Sequence, residues 1–138
     1  MTLKEFENLV RIGQLRTEPP DKREFEGLLN SARDRLRDAR HEGLSFAGRF
    51  DLAYNATHAL ALAALRMKGY RSDKRYMVFQ CLVHTLGMSP EQARIFTLCH
   101  DRRNLAEYEG SLNVDEQLLS ELIIAADELL ALVEALSP

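Results

Sequence analysis

Hydrophobic residues recur at every third or fourth position along most of the chain, which is the spacing of helices that bury one face. A leading helix is predicted within residues 1–18, because the pair Pro19 and Pro20 cannot continue the interior of a helix. The pattern from residue 20 to residue 136 is divided by glycines and capping residues into further helices. No stretch shows the alternation that predicts a β-strand.

Residues typical of helix ends predict where the helices of the first two thirds begin and stop. Gly43 and Gly69 end the second and third helices, and Ser45 is the expected N-cap of the third. A fourth helix is predicted from near Ser72 to Gly87.

The last two helices have the clearest predicted starts. Ser89-Pro90-Glu91-Gln92 predicts an N-cap, a proline in the first turn and a capping-box glutamine, for a fifth helix that runs towards Gly110. Asn113-Val114-Asp115-Glu116 predicts another capping box before the final helix. We therefore expect an all-α fold, an up-and-down four-helix bundle with additional short helices. A single domain would span residues 1–138, with the leading helix in 1–18 and the bundle in 20–136.

Composition narrows the class of protein. The 138 residues are 46% hydrophobic and 28% charged, as in ordinary globular domains. No apolar run approaches the roughly 20 residues of a membrane helix, so we expect a cytoplasmic protein without membrane association. Cys81 and Cys99 have no Cys or His at metal-ligand spacing, which predicts free buried thiols, no metal site and no cofactor.

Charge is unevenly divided along the chain. Residues 1–104 hold all 18 Lys and Arg residues and 13 acids, whereas residues 105–138 hold eight acids and no base. The last helix is therefore acidic, either as a solvated face or as the partner of a basic surface in the same or another molecule. The net charge of −3 does not support indiscriminate nucleic-acid binding, so any such contact is expected to be local.

The fifth predicted helix carries a cluster of hydrogen-bonding side chains on one face, three or four residues apart: His100, Arg103, Asn104, Glu107 and Tyr108. A guanidinium group there can bind a phosphate through two hydrogen bonds, with Asn104 and Tyr108 as further donors. Glu107 would hold Arg103 in place. The alternative is an exposed ion pair between Arg103 and Glu107 with no ligand.

Two other groups of residues are candidates for binding. Tyr54, Asn55 and His58 share a face of the third helix and predict a second wall of the site, unless they pack as hydrogen-bonded core residues. A basic segment around the turn between the third and fourth helices is a candidate nucleic-acid patch, although the helix dipole alone favours cations at a C-terminus. Its members are Arg66, Lys68, Tyr70, Arg71, Lys74, Arg75 and Tyr76.

The run Arg102-Arg103-Asn104-Leu105-Ala106-Glu107-Tyr108 resembles the signature of HEPN domains, helical bundles whose final pair of long helices carries the motif Arg-polar-x-x-x-His. The alanine-rich stretch 50–60 is similar to the second bundle helix of the same families, and the likeness spans residues 22–135. This resemblance implies a homodimer with an Arg/His pair at its interface. Active members cut RNA without metal by activating the ribose 2′-hydroxyl, and toxin members pair with a small nucleotidyltransferase.

The chain departs from the HEPN pattern at two positions. Tyr108 stands where the catalytic His is expected, and a phenol with a pKa near 10 is only about 0.1% ionised at neutral pH. Gly110 stands where toxin members carry the Tyr to which the partner attaches a nucleotide. We therefore expect binding of RNA or a nucleotide phosphate with little or no cleavage, as part of a module of the toxin–antitoxin type. The residues expected to bind are His100, Arg102, Arg103, Asn104 and Tyr108.

Two alternative functions are considered beside this one. The first is a metal-independent HEPN ribonuclease toxin in a toxin–antitoxin module with a nucleotidyltransferase, for which Arg103, Glu107 and Tyr108 are the candidate catalytic residues. The second is a structural dimer or adaptor, in which Arg103 anchors an ion pair between helices.

Overall fold

Most of the chain is α-helical in the computed structural model, which describes residues 3–110 and 114–136. The helices are α1 (Leu3–Arg11), α2 (Lys22–Ala39), α3 (Phe46–Met67), α4 (Arg75–Gln80), α5 (Leu82–Thr85), α6 (Pro90–Glu109) and α7 (Glu116–Glu134). The two strands are β1 (Arg16–Thr17) and β2 (Tyr70–Arg71). The prediction of a mainly α-helical class is confirmed. Within the described ranges, none of the helices is both long and apolar enough to cross a membrane.

The prediction that the chain has no strand is wrong at one place. β1 and β2 pair in antiparallel register, with Arg16 opposite Arg71 and Thr17 opposite Tyr70. Each strand is only two residues long, which is too short to show the alternation that identifies a strand in a sequence. The pairing brings the segment after α1 to the turn that follows α3.

The leading helix is shorter than predicted. It was expected within residues 1–18 and ends at Arg11, because the chain then becomes extended to form β1. Leu15, just before that strand, is buried and joins the segment to the core. Residues 1 and 2 of this prediction lie outside the described residues.

The fourth predicted helix differs in both its start and its continuity. It begins at Arg75 rather than near Ser72, because the Ser72 hydroxyl accepts a hydrogen bond from the Lys74 N–H at 3.1 Å and forms a turn there. It is also interrupted at Cys81, which separates α4 from α5.

The predicted ends of α3 and α6 are confirmed. The Ser45 hydroxyl accepts a hydrogen bond from the Gly48 N–H at the start of α3. Ser89 and Gln92 form a complete capping box at the start of α6. Gly110 ends α6 in the left-handed conformation, with a φ of 77°, which a side chain would disfavour.

The capping box predicted for the last helix has a different form. Asp115 is the N-cap, and its carboxylate accepts a hydrogen bond from the Leu118 N–H at 2.8 Å. Glu116 is therefore the first residue of α7, whereas a capping box needs its acidic residue at the third helical position. Asn113, the predicted N-cap, lies outside the described residues.

Two acidic side chains of α7 pair with one basic side chain of α2 and with that of Arg40, the residue that follows α2. Glu134 accepts from Arg33 at 2.6 Å, and Asp127 pairs with Arg40. Part of the acidic last helix thus faces a basic surface of the same chain, which was one of the two arrangements considered for it.

The core is built around α3, whose buried residues lie on all sides between Phe50 and Arg66. Its alanines, among them Ala56, Ala63 and Ala64, are fully buried and allow neighbouring helices to approach closely. α2 and α7 pack along it. α3, α4 and α6 also contact one another, and the polar side chains described next lie where these three helices meet.

Candidate functional site

Aromatic packing holds the three helices together beneath the polar side chains. Phe79 of α4 lies between Tyr54 of α3 and Phe96 of α6, with ring centroids 5.9 Å apart in both pairs. All three rings are buried. Side chains one turn further along α6 than Phe96 therefore lie against the first half of α3.

Two guanidinium groups lie over the ring of Tyr54. The central guanidinium carbon is 5.5 Å from the ring centroid for Arg75 and 5.3 Å for Arg103. These distances are within the range of cation–π attraction, which helps to hold both cations in place. The Arg103 side chain is 33% exposed, so solvent and ligands can reach it.

The imidazole of His100 is hydrogen-bonded at both nitrogens. Nδ1 lies 2.9 Å from the Tyr54 hydroxyl oxygen, and Nε2 lies 3.0 Å from Nδ2 of Asn104. The neutral ring carries one proton, so one of these nitrogens donates a hydrogen bond and the other accepts one. The two contacts hold the ring of His100 between Tyr54 and Asn104.

The two guanidinium groups have different partners. Nε of Arg103 lies 3.4 Å from Oδ1 of Asp51, a long contact between partly exposed groups. Arg75 donates to Oδ1 of Asn55 at 3.0 Å, and Asn55 in turn donates to the Asp51 carbonyl oxygen at 2.9 Å. Among the described residues, no carboxylate lies within ion-pair distance of Arg75.

We call this cluster the Arg75–Arg103 site. It consists of Asp51, Tyr54, Asn55, Arg75, His100, Arg103 and Asn104.

The environment keeps the titratable rings of this region neutral at pH 7. Burial lowers the pKa of His100, and Arg75 and Arg103 lower it further, against an opposing effect of Asp101. Burial raises the pKa of Tyr54, which the same two guanidinium groups oppose. The charged groups of the Arg75–Arg103 site are therefore its two cations and one carboxylate.

Five of the residues predicted from the sequence come together here. His100, Arg103 and Asn104 share the inner face of α6, and Tyr54 and Asn55 form the opposite wall on α3. Tyr54 is also a buried, hydrogen-bonded residue of the core, which was the alternative considered for it.

Two residues of the site were not predicted as part of it. The sequence makes Arg75 a candidate only as part of the basic segment, and Asp51 belongs to none of the candidate groups. Asp51, Tyr54 and Asn55 are three and four residues apart, so helical spacing alone places Asp51 on the same face. No pattern in the sequence indicates that α4 brings Arg75 to this face.

Glu107 and Tyr108 do not lie in the site. The carboxylate beside Arg103 is that of Asp51, so the prediction that Glu107 holds Arg103 is wrong. Tyr108 is 91% exposed, and five positions from Arg103 turn the helix by about 140°, which directs the phenol away from the guanidinium. Arg102 is likewise exposed, about 100° around the helix from Arg103.

His58 lies beside the site rather than in it. Its ring packs edge-on against Phe79 with centroids 6.0 Å apart. Burial, with smaller contributions from Arg75 and His100, lowers its pKa to about 4. His58 thus packs against the core, as in the alternative interpretation, but none of the hydrogen bonds among the described residues involves its ring.

Two of the five cations in the basic segment, Arg66 and Arg71, have a structural role. Arg66 is 2% exposed, and its guanidinium pairs with Glu24 at 2.5 Å and with Glu18 at 3.2 Å. Arg71 pairs with the same two carboxylates. These cations tie the segment before α2 to the end of α3, and they are not free to bind a phosphate.

The described ranges offer neither a metal site nor a reactive cysteine. No group of three His, Cys, Asp or Glu side chains there is arranged to hold a metal ion. Cys81 and Cys99 are buried free thiols, and burial raises their pKa to about 11 and about 12. Neither thiol is a thiolate nucleophile at neutral pH.

Comparison with known proteins adds no relative. No protein-family model, curated protein or solved structure matched the chain. The function must therefore be argued from the geometry of the Arg75–Arg103 site and from the sequence.

Proposed function

We propose that this protein is a HEPN-like helical protein that binds RNA or a nucleotide phosphate at the Arg75–Arg103 site without cleaving it. The observation that carries the proposal is the pair of guanidinium groups over one tyrosine ring, of which Arg75 has only a neutral partner, Asn55, among the described residues. A positive group that is held in place and lacks a carboxylate partner is suited to an anion.

The chemistry of the site favours phosphate. Guanidinium groups match phosphate oxygens through paired N–H donors, and Asn104 presents an exposed amide beside them. The 3.4 Å contact of Arg103 with half-exposed Asp51 is weak enough for a phosphate to replace it. We infer that one phosphate then accepts hydrogen bonds from both guanidinium groups, whose central carbons lie 5.5 and 5.3 Å from the Tyr54 ring centroid.

The state of His100 favours binding over cleavage. Metal-free cleavage of RNA needs a base with a free lone pair to take the proton of the 2′-hydroxyl, and histidine supplies it in the HEPN motif. Both nitrogens of His100 are within hydrogen-bond distance of protein groups, at 2.9 and 3.0 Å. Tyr108, at the position of the HEPN histidine, is 91% exposed, and the guanidinium groups of Arg75 and Arg103 lie over the ring of Tyr54 instead.

The resemblance of the sequence to HEPN domains supports the same proposal. The four long helices α2, α3, α6 and α7 would form the proposed bundle, with the remaining helices as additions to it. A homodimer, a cytoplasmic location and a partner nucleotidyltransferase in a toxin–antitoxin module follow from the sequence arguments alone and stay predictions.

The test is binding of a fluorescein-labelled single-stranded RNA, measured by fluorescence anisotropy at constant salt. Arg75→Ala and Arg103→Ala should each weaken binding by about tenfold or more, as expected for the loss of a charge-assisted hydrogen bond. Arg37→Ala is the matched control, because Arg37 is an exposed cation on α2 that pairs only with Asp34 and Asp38 among the described residues. It should leave the affinity unchanged.

Two results would contradict the proposal. If neither Arg75→Ala nor Arg103→Ala weakens binding, the alternative of a structural dimer or adaptor is favoured. If the wild-type protein cuts the RNA and Arg103→Ala abolishes the cutting, the protein is a ribonuclease.

A further inference from the structure

An open groove lies between α4–α5 and α6, beside the Arg75–Arg103 site. Its volume is about 410 Å³, within the range of sites that hold small organic ligands. Its lining includes Tyr76, Gln80, Val83, Ala93, Arg94 and Thr97. The Tyr76 ring lies 6.0 Å from the ring of His100, so the groove begins where the Arg75–Arg103 site ends.

Tyr76 has the exposure and the support of a stacking platform. It is 43% exposed, although large aromatic rings are usually buried. The ring of His100 supports it on one side, at an interplanar angle of 52°. Exposed aromatic rings held in this way bind nucleobases by stacking, largely independently of the base.

The sequence of α4 couples this platform to the phosphate-binding cation. Arg75 and Tyr76 are consecutive in the first turn of α4, so a guanidinium group and an aromatic ring leave the same turn in different directions. A nucleotide also carries its phosphate and its base in different directions from one ribose.

The rest of the lining suits the edge and faces of a base. Gln80, one turn after Tyr76, offers an amide with both donors and an acceptor. The edge of a nucleobase also carries both hydrogen-bond donors and acceptors, so the two can pair. The Thr97 hydroxyl donates to the Arg94 carbonyl oxygen at 3.0 Å and keeps its own lone pairs as acceptors. Val83 and Ala93 supply apolar surface.

We propose that this groove is a nucleoside subsite, in which a base stacks on Tyr76 while the phosphate of the same nucleotide is held by Arg75 and Arg103. This inference rests on the proposed function, since it gives the phosphate ligand of that site a base. The ligand class is a nucleoside phosphate, either free or as one unit of an RNA strand.

The experiment compares ligands that differ only in the base. Isothermal titration of the wild-type protein with AMP and with ribose 5-phosphate should show AMP binding about tenfold more tightly, because only AMP can stack. Tyr76→Ala should remove this difference and leave the affinity for ribose 5-phosphate unchanged. Tyr76→Phe should keep the difference, because it keeps the ring. Arg75→Ala should weaken both ligands.

The possible failures are distinguishable. If AMP and ribose 5-phosphate bind the wild-type protein equally and Arg75→Ala weakens both, the nucleoside subsite is wrong and the proposed phosphate site stands. If Tyr76→Ala weakens ribose 5-phosphate as much as AMP, the groove does not select a base and the inference is overturned. If neither ligand nor an RNA octamer binds, both proposals fail.

The RNA octamer separates the two sources of ligand. Octamer binding that depends on Tyr76, with AMP binding more than about a hundredfold weaker, identifies a strand as the ligand. AMP binding as tight as that of the octamer identifies a free nucleotide. An octamer that binds independently of Tyr76, when AMP does not bind, overturns the inference.

Discussion

The hydroxyl oxygen of Tyr54 and Nδ1 of His100 lie 2.9 Å apart, and this contact joins α3 to α6 at the centre of the Arg75–Arg103 site. Tyr54 is 1% exposed, so its phenol acts as part of the framework rather than as a group that touches a ligand. His100 in turn orients Asn104 through its second nitrogen. The orientation of the Asn104 side chain thus depends on a partly buried hydrogen bond.

Tyr54→Phe tests this dependence, because it removes the hydroxyl and keeps the ring beneath the two guanidinium groups. We expect the free energy of unfolding to fall by about 1 kcal/mol, since Nδ1 of His100 loses its partner in a partly buried place. Urea denaturation of the two proteins measures the difference. Equal stability of wild type and variant would show that the hydrogen bond contributes nothing.

His58 should make the protein sensitive to acid. Its pKa is about 4 in the folded chain and near 6.5 when unfolded, so the unfolded chain binds more protons between these values. The contribution of neutral His58 to stability is complete above pH 6.5 and is lost as the pH falls to 4. The free energy of unfolding decreases by roughly 3 kcal/mol at most over this range. His58→Gln should flatten the dependence of unfolding free energy on pH in this window. An unchanged slope in the variant would assign the acid sensitivity to other groups.

Arg66 and Lys68 should respond very differently to the same substitution, although both belong to the basic segment. Arg66→Ala leaves the carboxylates of Glu18 and Glu24 without their buried partner and should cost about 3 kcal/mol. Lys68→Ala removes an exposed cation and should change stability by less than about 0.5 kcal/mol. Thermal unfolding monitored by circular dichroism compares them. Equal effects would contradict the structural role of Arg66.

Both ends of α6 could be predicted from the sequence because their causes are local, whereas α1 and α2 end earlier than predicted, at Arg11 and Ala39. Ser89, Gln92 and Gly110 act on backbone groups within a few residues, so the limits of α6 can be read directly from the chain. β1 and β2 could not be predicted, because each depends on a partner more than 50 residues away, as in the pairing of Arg16 with Arg71.

The same distinction applies to the site. The shared face of His100, Arg103 and Asn104 follows from helical spacing and could be predicted. Arg75 could not be assigned to it, because its position depends on how α4 packs between α3 and α6. Glu107 and Tyr108 lie outside the Arg75–Arg103 site, which could not be predicted because spacing alone does not show which turns of a helix face a neighbour.

Tyr108→Ala distinguishes the site seen in the structure from the one expected from the HEPN motif. Because Tyr108 is 91% exposed and lies away from the two guanidinium groups, we expect the substitution to change RNA affinity by less than about twofold. Anisotropy titrations of wild type and variant under the same conditions decide this. A tenfold loss of RNA affinity would show that Tyr108 is part of the binding surface.

The central claim is that Arg75 and Arg103 hold the same phosphate, and a double-mutant cycle tests it most directly. RNA affinity would be measured for the wild type, Arg75→Ala, Arg103→Ala and the double variant, with far-UV circular dichroism to show that all four are folded. Two cations that hold one phosphate should be coupled by about 1 kcal/mol or more. The loss of affinity in the double variant should therefore be smaller than the product of the losses in the two single variants. Strictly additive losses, or no loss in either single variant, would contradict the account.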